Sequence, residues 1–313
     1  MTEWKSFFKS FSWLKPKRKE SLSQKADKQN TTMSVQIVTD SSSELENSFH
    51  PSLHVVPLNV RFGNDEYQDG VNLSREEFYN RLIEEDTLPQ TSAASPVAFE
   101  EAVVEAQKNG DEVLLITLSS KLSGTYQSAK LGIADLEDVY LIDSMTVCLG
   151  LQILVRRALE LSDQGLSAAE IAKILEEEKG RVRLVALLDT LEYLKKGGRI
   201  SAAAAAIGNL LSIRPVIAVE DGEVKMLGKA RGSKKANNLL NEMIEKSGGI
   251  ATDYPSTMGY TGLNDDLLKK YVEDSKLLSD EYKDEANYQL VGPTIGTHAG
   301  PGAIALAFFA QNK

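Results

Sequence analysis

Apolar and polar positions change rhythm twice along the chain. Trp4, Phe7, Phe8, Phe11 and Leu14 recur at helical spacing and fall within an arc of about 120° at about 100° per residue. Pro16 would end such a helix, and the lysine-rich stretch from there to Thr32 reads as a flexible polar linker. From Val35 short apolar runs begin. Val35–Asp40 and Val139–Ile142 read as strands, and Val55–Phe62 as an extended segment leading into a hairpin turn at Gly63-Asn64-Asp65. Glu112–Leu118 is apolar at almost every position, which predicts a strand covered on both faces. Helices are predicted from Ser74, which with Glu77 makes a capping box, through Leu82, then over Pro96–Lys108, Ser123–Ala134 and Ser144–Leu161. Gly165 breaks the pattern before a further helix over Ser167–Lys179.

The second half repeats the style. Strands are predicted at Arg183–Leu187 and near Val216–Val219, Val224–Leu227, Thr257–Tyr260 and Tyr288–Val291. Helices are predicted at the alanine-rich Ser201–Ser212, at Ser233–Lys246, and from Gly302 to the end. Strands alternating with helices define an α/β fold, read as two α/β domains with largely parallel sheets. The expected organisation is an extension over 1–32, a first domain over 33–165 and a second over 166–313.

Charge sharpens this division. The 313 residues carry a formal net charge of −10, yet residues 1–32 hold eight basic against three acidic residues, a net of +5. The remainder holds 27 basic against 42 acidic, or −15. An acidic body excludes a nucleic-acid partner, because phosphate binding needs a basic face. No run of some 18 apolar residues is present, so no spanning helix is expected. The start also lacks the continuous apolar core of a signal peptide. The expected location is the cytoplasm, and two readings of the extension stay open. One is a peripheral contact with the inner face of a membrane, aromatic rings in lipid and lysines on anionic headgroups. The other is a disordered extension without that role, or upstream codons translated from a misplaced start with Met33 as the true beginning. Cys148 is the one cysteine and fits a reducing compartment, and with three histidines a structural zinc site is not expected.

Four stretches place small hydroxyl residues or glycines where strands are expected to meet helices. They are Asp40-Ser41-Ser42-Ser43, Thr91–Pro96, Ser119–Thr125 and Gly296–Gly302. Hydroxyls with free N–H groups at a helix start suit an anion, although each Ser or Thr could serve only as a helix cap. The anion is not held by a nucleotide motif: Gly-x-x-x-x-Gly-Lys-Ser/Thr and Gly-x-Gly-x-x-Gly are absent, as is the Gly-x-Ser-x-Gly elbow of hydrolases. His298 is the histidine in a site-like loop, while His50 and His54 lie in a surface-like stretch and read as structural. Arg199, next to Gly197-Gly198, could offer a planar fork to a carboxylate or remain a solvated turn residue. The small side chains of Ala202–Ala206 permit close helix packing or leave room for a slender apolar ligand.

Six ordered blocks join these pieces: Val38–Ser43, Tyr67–Gly70, Leu88–Pro96, Leu122–Ala129, Lys196–Ile200 and Gly296–Gly302. In order and spacing they resemble the DegV family of bacterial fatty-acid-binding proteins over residues 34–313. Ala93-Ala94 stands where many members have Gln-Pro, and Arg214 where a lysine is common. The resemblance implies a long-chain fatty acid held at or near the domain junction, its carboxylate met by Thr91, Ser92 and Ser123, with Arg199 and His298 in the surrounding network. It further implies no catalytic residues, no metal and no cofactor, the fatty acid itself being the ligand. Members of the family that serve as fatty acid kinase subunits, in phospholipid metabolism, present the acid to a separate ATP-binding subunit that forms the acyl phosphate. Two other functions remain open from the sequence: a carrier or sensor without a kinase partner, and a stand-alone acyl hydrolase using Ser123 or Ser92 with His298.

Overall fold

Every residue of Val35–Asp40 (β1) is buried, which a strand achieves only when both faces of its sheet are covered. The computed structural model describes residues 35–85, 87–108, 112–201, 213–275, 278 and 288–311. β1 is central in a four-stranded sheet with Leu53–Val56 (β2), Glu112–Thr117 (β6) and Val139–Asp143 (β7), ordered β2-β1-β6-β7 and parallel throughout. Asn59–Phe62 (β3), Asp65–Gln68 (β4) and Gln90–Ser92 (β5) form a small antiparallel sheet in the order β4-β3-β5. Its hairpin turns at Gly63-Asn64, where the positive φ of 58° at Gly63 suits a residue without Cβ.

Helices follow the predicted caps. Ser74 and Ser95 each accept a hydrogen bond from the backbone three residues on, opening Arg75–Glu84 (α1) and Pro96–Gln107 (α2). Gly124 opens Thr125–Gly132 (α3). Leu149–Asp163 (α4) is buried at each of its first seven residues because it packs on β1 and also reaches the second large sheet. Ser167 and Glu170 make a full capping box for Ala168–Glu178 (α5), which packs on β6 and β7 although it follows the expected boundary at residue 165.

The second large sheet has six strands: Val182–Leu187 (β8), Ile213–Glu220 (β9), Glu223–Arg231 (β10), Thr257–Tyr260 (β11), Tyr288–Leu290 (β12) and Ile304–Phe309 (β13). Their order is β10-β9-β8-β13-β11-β12. Ser233–Lys246 (α7) packs on β8, β9 and β10, and with Asp266–Asp274 (α8) covers a core that includes Leu187, Leu240, Met258, Leu306 and Phe308. The short helices Glu192–Lys196 (α6) and Pro293–Ala299 (α9) pack together.

The α/β class holds, and so does the parallel arrangement expected of the first sheet. The second sheet is corrected: every pairing in it is antiparallel except β11 with β12. For β9 and β10 the reason is local, since they are joined by the tight turn Asp221-Gly222, and a two-residue hairpin can join only antiparallel strands. The helix expected from Gly302 is strand β13. Lying between β8 and β11, it is apolar at all six positions and so lacks the alternation that separates a strand from a buried helix. The helix expected from Ser144 begins at Leu149, after a loop in which Met145 and Cys148 have positive φ. Helices α6, α8 and α9 are not among the elements expected from the sequence. The extension and the alanine-rich helix expected at 201–212 lie outside the described residues, apart from Ser201. No helix among the described residues is long and apolar enough to cross a membrane.

Candidate functional site

Between β8, β9, β11 and β13 on one side and the loops after β5 and β6 on the other lies a cavity of about 210 Å³. One water needs only ~10–15 Å³ of such space, so this volume takes a molecule of some size. Its walls are mostly aliphatic, with Leu118, Val147, Leu184, Ile217 and Val219 among them. All five residues singled out from the sequence, Thr91, Ser92, Ser123, Arg199 and His298, line it. The arrangement is polar at one part of an otherwise apolar chamber.

Thr91 on β5 and His298 in the last turn of α9 are 207 positions apart, yet Thr91 Oγ1 and His298 Nε2 are 2.9 Å apart. Burial, and then the nearby Arg199 charge, push the imidazole of His298 down to about 4, so it is neutral at physiological pH. Thr91 Oγ1 and His298 Nε2 share a hydrogen bond; in the tautomer with the proton on Nε2, His298 donates and the threonine hydroxyl keeps its own proton for a cavity ligand. No hydrogen-bond partner for His298 Nδ1 is found among the described residues. Gly197 packs directly against that nitrogen, leaving no room for a Cβ.

Ser92 follows Thr91 in the strand, and adjacent residues point to opposite faces. Its exposed hydroxyl accepts from Asn59 Nδ2 at 3.4 Å on the neighbouring strand. Ser123 Oγ shares a hydrogen bond with Thr125 Oγ1 at 2.8 Å and accepts from the Thr125 N–H at 3.2 Å. It thereby stands at the start of α3, whose N-terminal dipole adds positive potential to this end of the cavity. Arg199 is held by donating from Nε to the Leu122 carbonyl at 3.1 Å and from a terminal nitrogen to the Gly197 carbonyl. Of these groups Arg199 is the cation, since His298 is neutral.

The seat of α9 was not legible in the sequence. The Gly292 N–H donates to Glu44 Oε2 at 2.6 Å and the Thr294 N–H to Asp69 Oδ2 at 3.2 Å, so two buried carboxyl groups accept from N–H groups at the start of this helix. Tyr79 donates to the Val291 carbonyl at 2.9 Å, and Arg75 to the Leu290 carbonyl at 2.7 Å. Arg75 also lies 3.8 Å from Glu44. The segments carrying Glu44, Asp69, Arg75 and Tyr79 thus fix the helix that delivers His298.

Burial raises Glu44 from an ordinary 4.5 to about 8, Arg75 opposing and Asp69 reinforcing. The folded protein therefore keeps a proton that the unfolded chain releases near 4.5, and this group's contribution to stability falls as pH rises from about 4.5 to 8. Glu44→Gln retains an oxygen to accept from Gly292 and abolishes the titration. Thermal unfolding from pH 5 to 8.5 should therefore show a flatter decline in Tm for the variant; parallel curves would refute the assignment.

Asp40-Ser41-Ser42-Ser43 is structural and does not line the cavity. Asp40 accepts from Ser42 and from the Leu118 N–H at 2.9 Å, tying β1 to the end of β6. His50 Nε2 is 3.4 Å from Asp163, and His54 Nε2 is 3.1 Å from Gln36 Oε1, both remote from the cavity lining. Gly296–Gly302 occupies the end of a helix and the turn into β13, in place of the expected strand-to-helix junction. No group of three or more His, Cys, Asp or Glu side chains among the described residues is arranged to hold a metal ion.

An α/β protein with a largely apolar cavity and a small hydroxyl, imidazole and guanidinium cluster at one part of it is a small-molecule binding protein in architecture. The chain belongs to the DegV family: the sequence model of that family of uncharacterised proteins matches residues 34–311. A DegV domain-containing protein, TTE1491, of Caldanaerobacter subterraneus subsp. tengcongensis is 34% identical over 284 residues, covering 88% of this chain and 98% of that one. The solved structure of a fatty-acid-binding DegV family protein from Thermus thermophilus superposes with a TM-score of 0.76 at 30% identity, over 89% of this chain and all of that one. A stearic-acid-binding protein from Eubacterium ventriosum gives a TM-score of 0.75 at 26% identity, over 87% of this chain and 97% of that one.

Proposed function

We propose that this protein binds a long-chain fatty acid in the chamber and presents its carboxylate to a separate ATP-binding kinase subunit for acyl phosphate formation. The observation that carries the reading is that Thr91, Ser123, Arg199 and His298 line one cavity whose other walls are largely aliphatic; Ser92 lines it too, with its hydroxyl turned to Asn59. A buried carboxylate needs several donors. Thr91 and Ser123 supply hydroxyls, and Arg199 supplies compensating charge. Each buried methylene contributes about 0.8 kcal/mol, so affinity comes from the acyl chain while the polar cluster sets its direction.

Two features support presentation to a partner. The chain has no nucleotide-binding motif of the P-loop or dinucleotide kind. Leu122, Arg199 and Val224 line both the chamber and an open cleft beside it that also carries Lys121, Ser201, Glu223 and Lys225. A carboxylate at Arg199 therefore lies next to accessible surface. The test combines delipidated protein, fatty acid, ATP and a cognate kinase subunit, trapping acyl phosphate with hydroxylamine. Product is expected only when all four are present. Retention of the acid without any product would leave a carrier, and hydrolysis of an acyl ester by the protein alone would point to an esterase.

A further inference from the structure

Strand β13 runs between β8 and β11, so both of its edges are paired. Five of its six residues are buried, and Ala305 is the exception. Its residual exposure is to the chamber, which it lines. The residues around it are all small. Across the sheet Ala305 pairs with Ala186 on β8 and with Gly259 on β11, both of which also line the chamber. Along β13 its same-face neighbour is Ala307, and Ala303 immediately precedes the strand. Strands lie about 4.8 Å apart, so the low floor from Ala186 through Ala305 to Gly259 is roughly 10 Å wide. Leu184 on β8 and Leu188 just past its end flank it, with Ile217 beyond on β9. Large side chains stand on either side, and the middle is kept clear.

We propose that Ala305 is a chain-length determinant, the point at which the acyl chain crosses the sheet. The inference rests on the reading of the chamber as a fatty-acid site and adds to it the surface that selects among acids. Gly259 closes one end of the floor, because even a Cβ there would come 3.1 Å from both Leu149 and Val291. Ala305 has open volume above it, so a larger side chain there takes space from the ligand while the surrounding core keeps its contacts. Carboxylate recognition at Thr91 and His298 is left untouched.

Leucine at position 305 adds three carbons and displaces about three methylenes of a long chain. Each buried methylene is worth about fourfold in affinity, so Ala305→Leu should weaken octadecanoic acid roughly 50-fold. Octanoic acid, with fewer methylenes to lose, should change by less than about threefold. Ala305→Val, a two-carbon addition well suited to a strand, should give roughly 15-fold for the long acid and guards against misfolding of the leucine variant. The measurement is displacement of a fluorescent fatty acid by saturated acids of increasing length, with circular dichroism confirming the fold. A loss that grows with chain length supports the assignment. An equal loss at every length, or none in a folded variant, overturns it. Failure of the unmodified protein to bind any fatty acid would instead defeat the underlying reading of the chamber.

Discussion

Thr91→Ala combined with Ser123→Ala is expected to weaken binding of a free fatty acid by on the order of 100-fold while leaving its methyl ester within a few-fold. A hydrogen bond to a charged group contributes about 1.5–3 kcal/mol, and two are lost, so about 3 kcal/mol is the low end. The ester has no charge to stabilise and loses little. The aliphatic walls, which hold the chain, are unchanged by either substitution. Titration calorimetry with both ligands separates the terms, and equal losses would show that these hydroxyls do not read the carboxylate. The imidazole adds a check on mechanism. Because burial and Arg199 hold His298 at about 4, its charge stays constant from pH 5.5 to 8. The ratio of acid to ester affinity should therefore show no inflection near 6.5, where an exposed histidine would titrate.

Asp40→Ala is expected to cost about 3 kcal/mol of stability without touching a cavity-lining side chain. Asp40 is fully buried, and its carboxylate accepts the Ser42 N–H at 3.1 Å, the Ser42 hydroxyl and the Leu118 N–H at 2.9 Å. Truncation leaves those donors in a dry interior, at about 1–3 kcal/mol for each unpaired group. The two N–H groups alone account for the expected loss. Urea unfolding at pH 7 should show a lower midpoint with an unchanged slope. A loss under ~1 kcal/mol would mean that water reaches these donors. Since Leu118 lines the chamber, the variant also shows whether that end of β6 must be fixed for ligand retention.

How much of this could be read from the chain differs from element to element. The β1 strand, the Ser74, Ser95 and Ser167 helix starts and the limits of α7 were visible because caps and periodicity are local. Strand β13 was not, since burial on both faces removes alternation and leaves six apolar residues that suit a helix equally well. The antiparallel course of the second sheet was hidden for a related reason: pairing direction depends on connections such as Asp221-Gly222, which alternation does not encode. The hydroxyl-rich and glycine-rich blocks and their family resemblance point to Thr91, Ser92, Ser123, Arg199 and His298, all of which line the cavity. Their unlike environments were not legible there. Thr91 and Ser92 are neighbours, and only the pleat turns one hydroxyl toward His298 and the other toward Asn59.

The sequence by itself determined the α/β class, several helix starts, the family blocks and the acidic charge of the body. These follow from backbone periodicity, capping chemistry and summed charge, each set by residues close in the chain or by composition. The tertiary structure alone decided that Thr91 meets His298 across 207 positions, that Glu44 and Asp69 seat the helix delivering that imidazole, and that small residues around Ala305 keep a chamber open. Those relations arise from packing between distant segments, and burial then sets both the protonation of the site and the space above its floor.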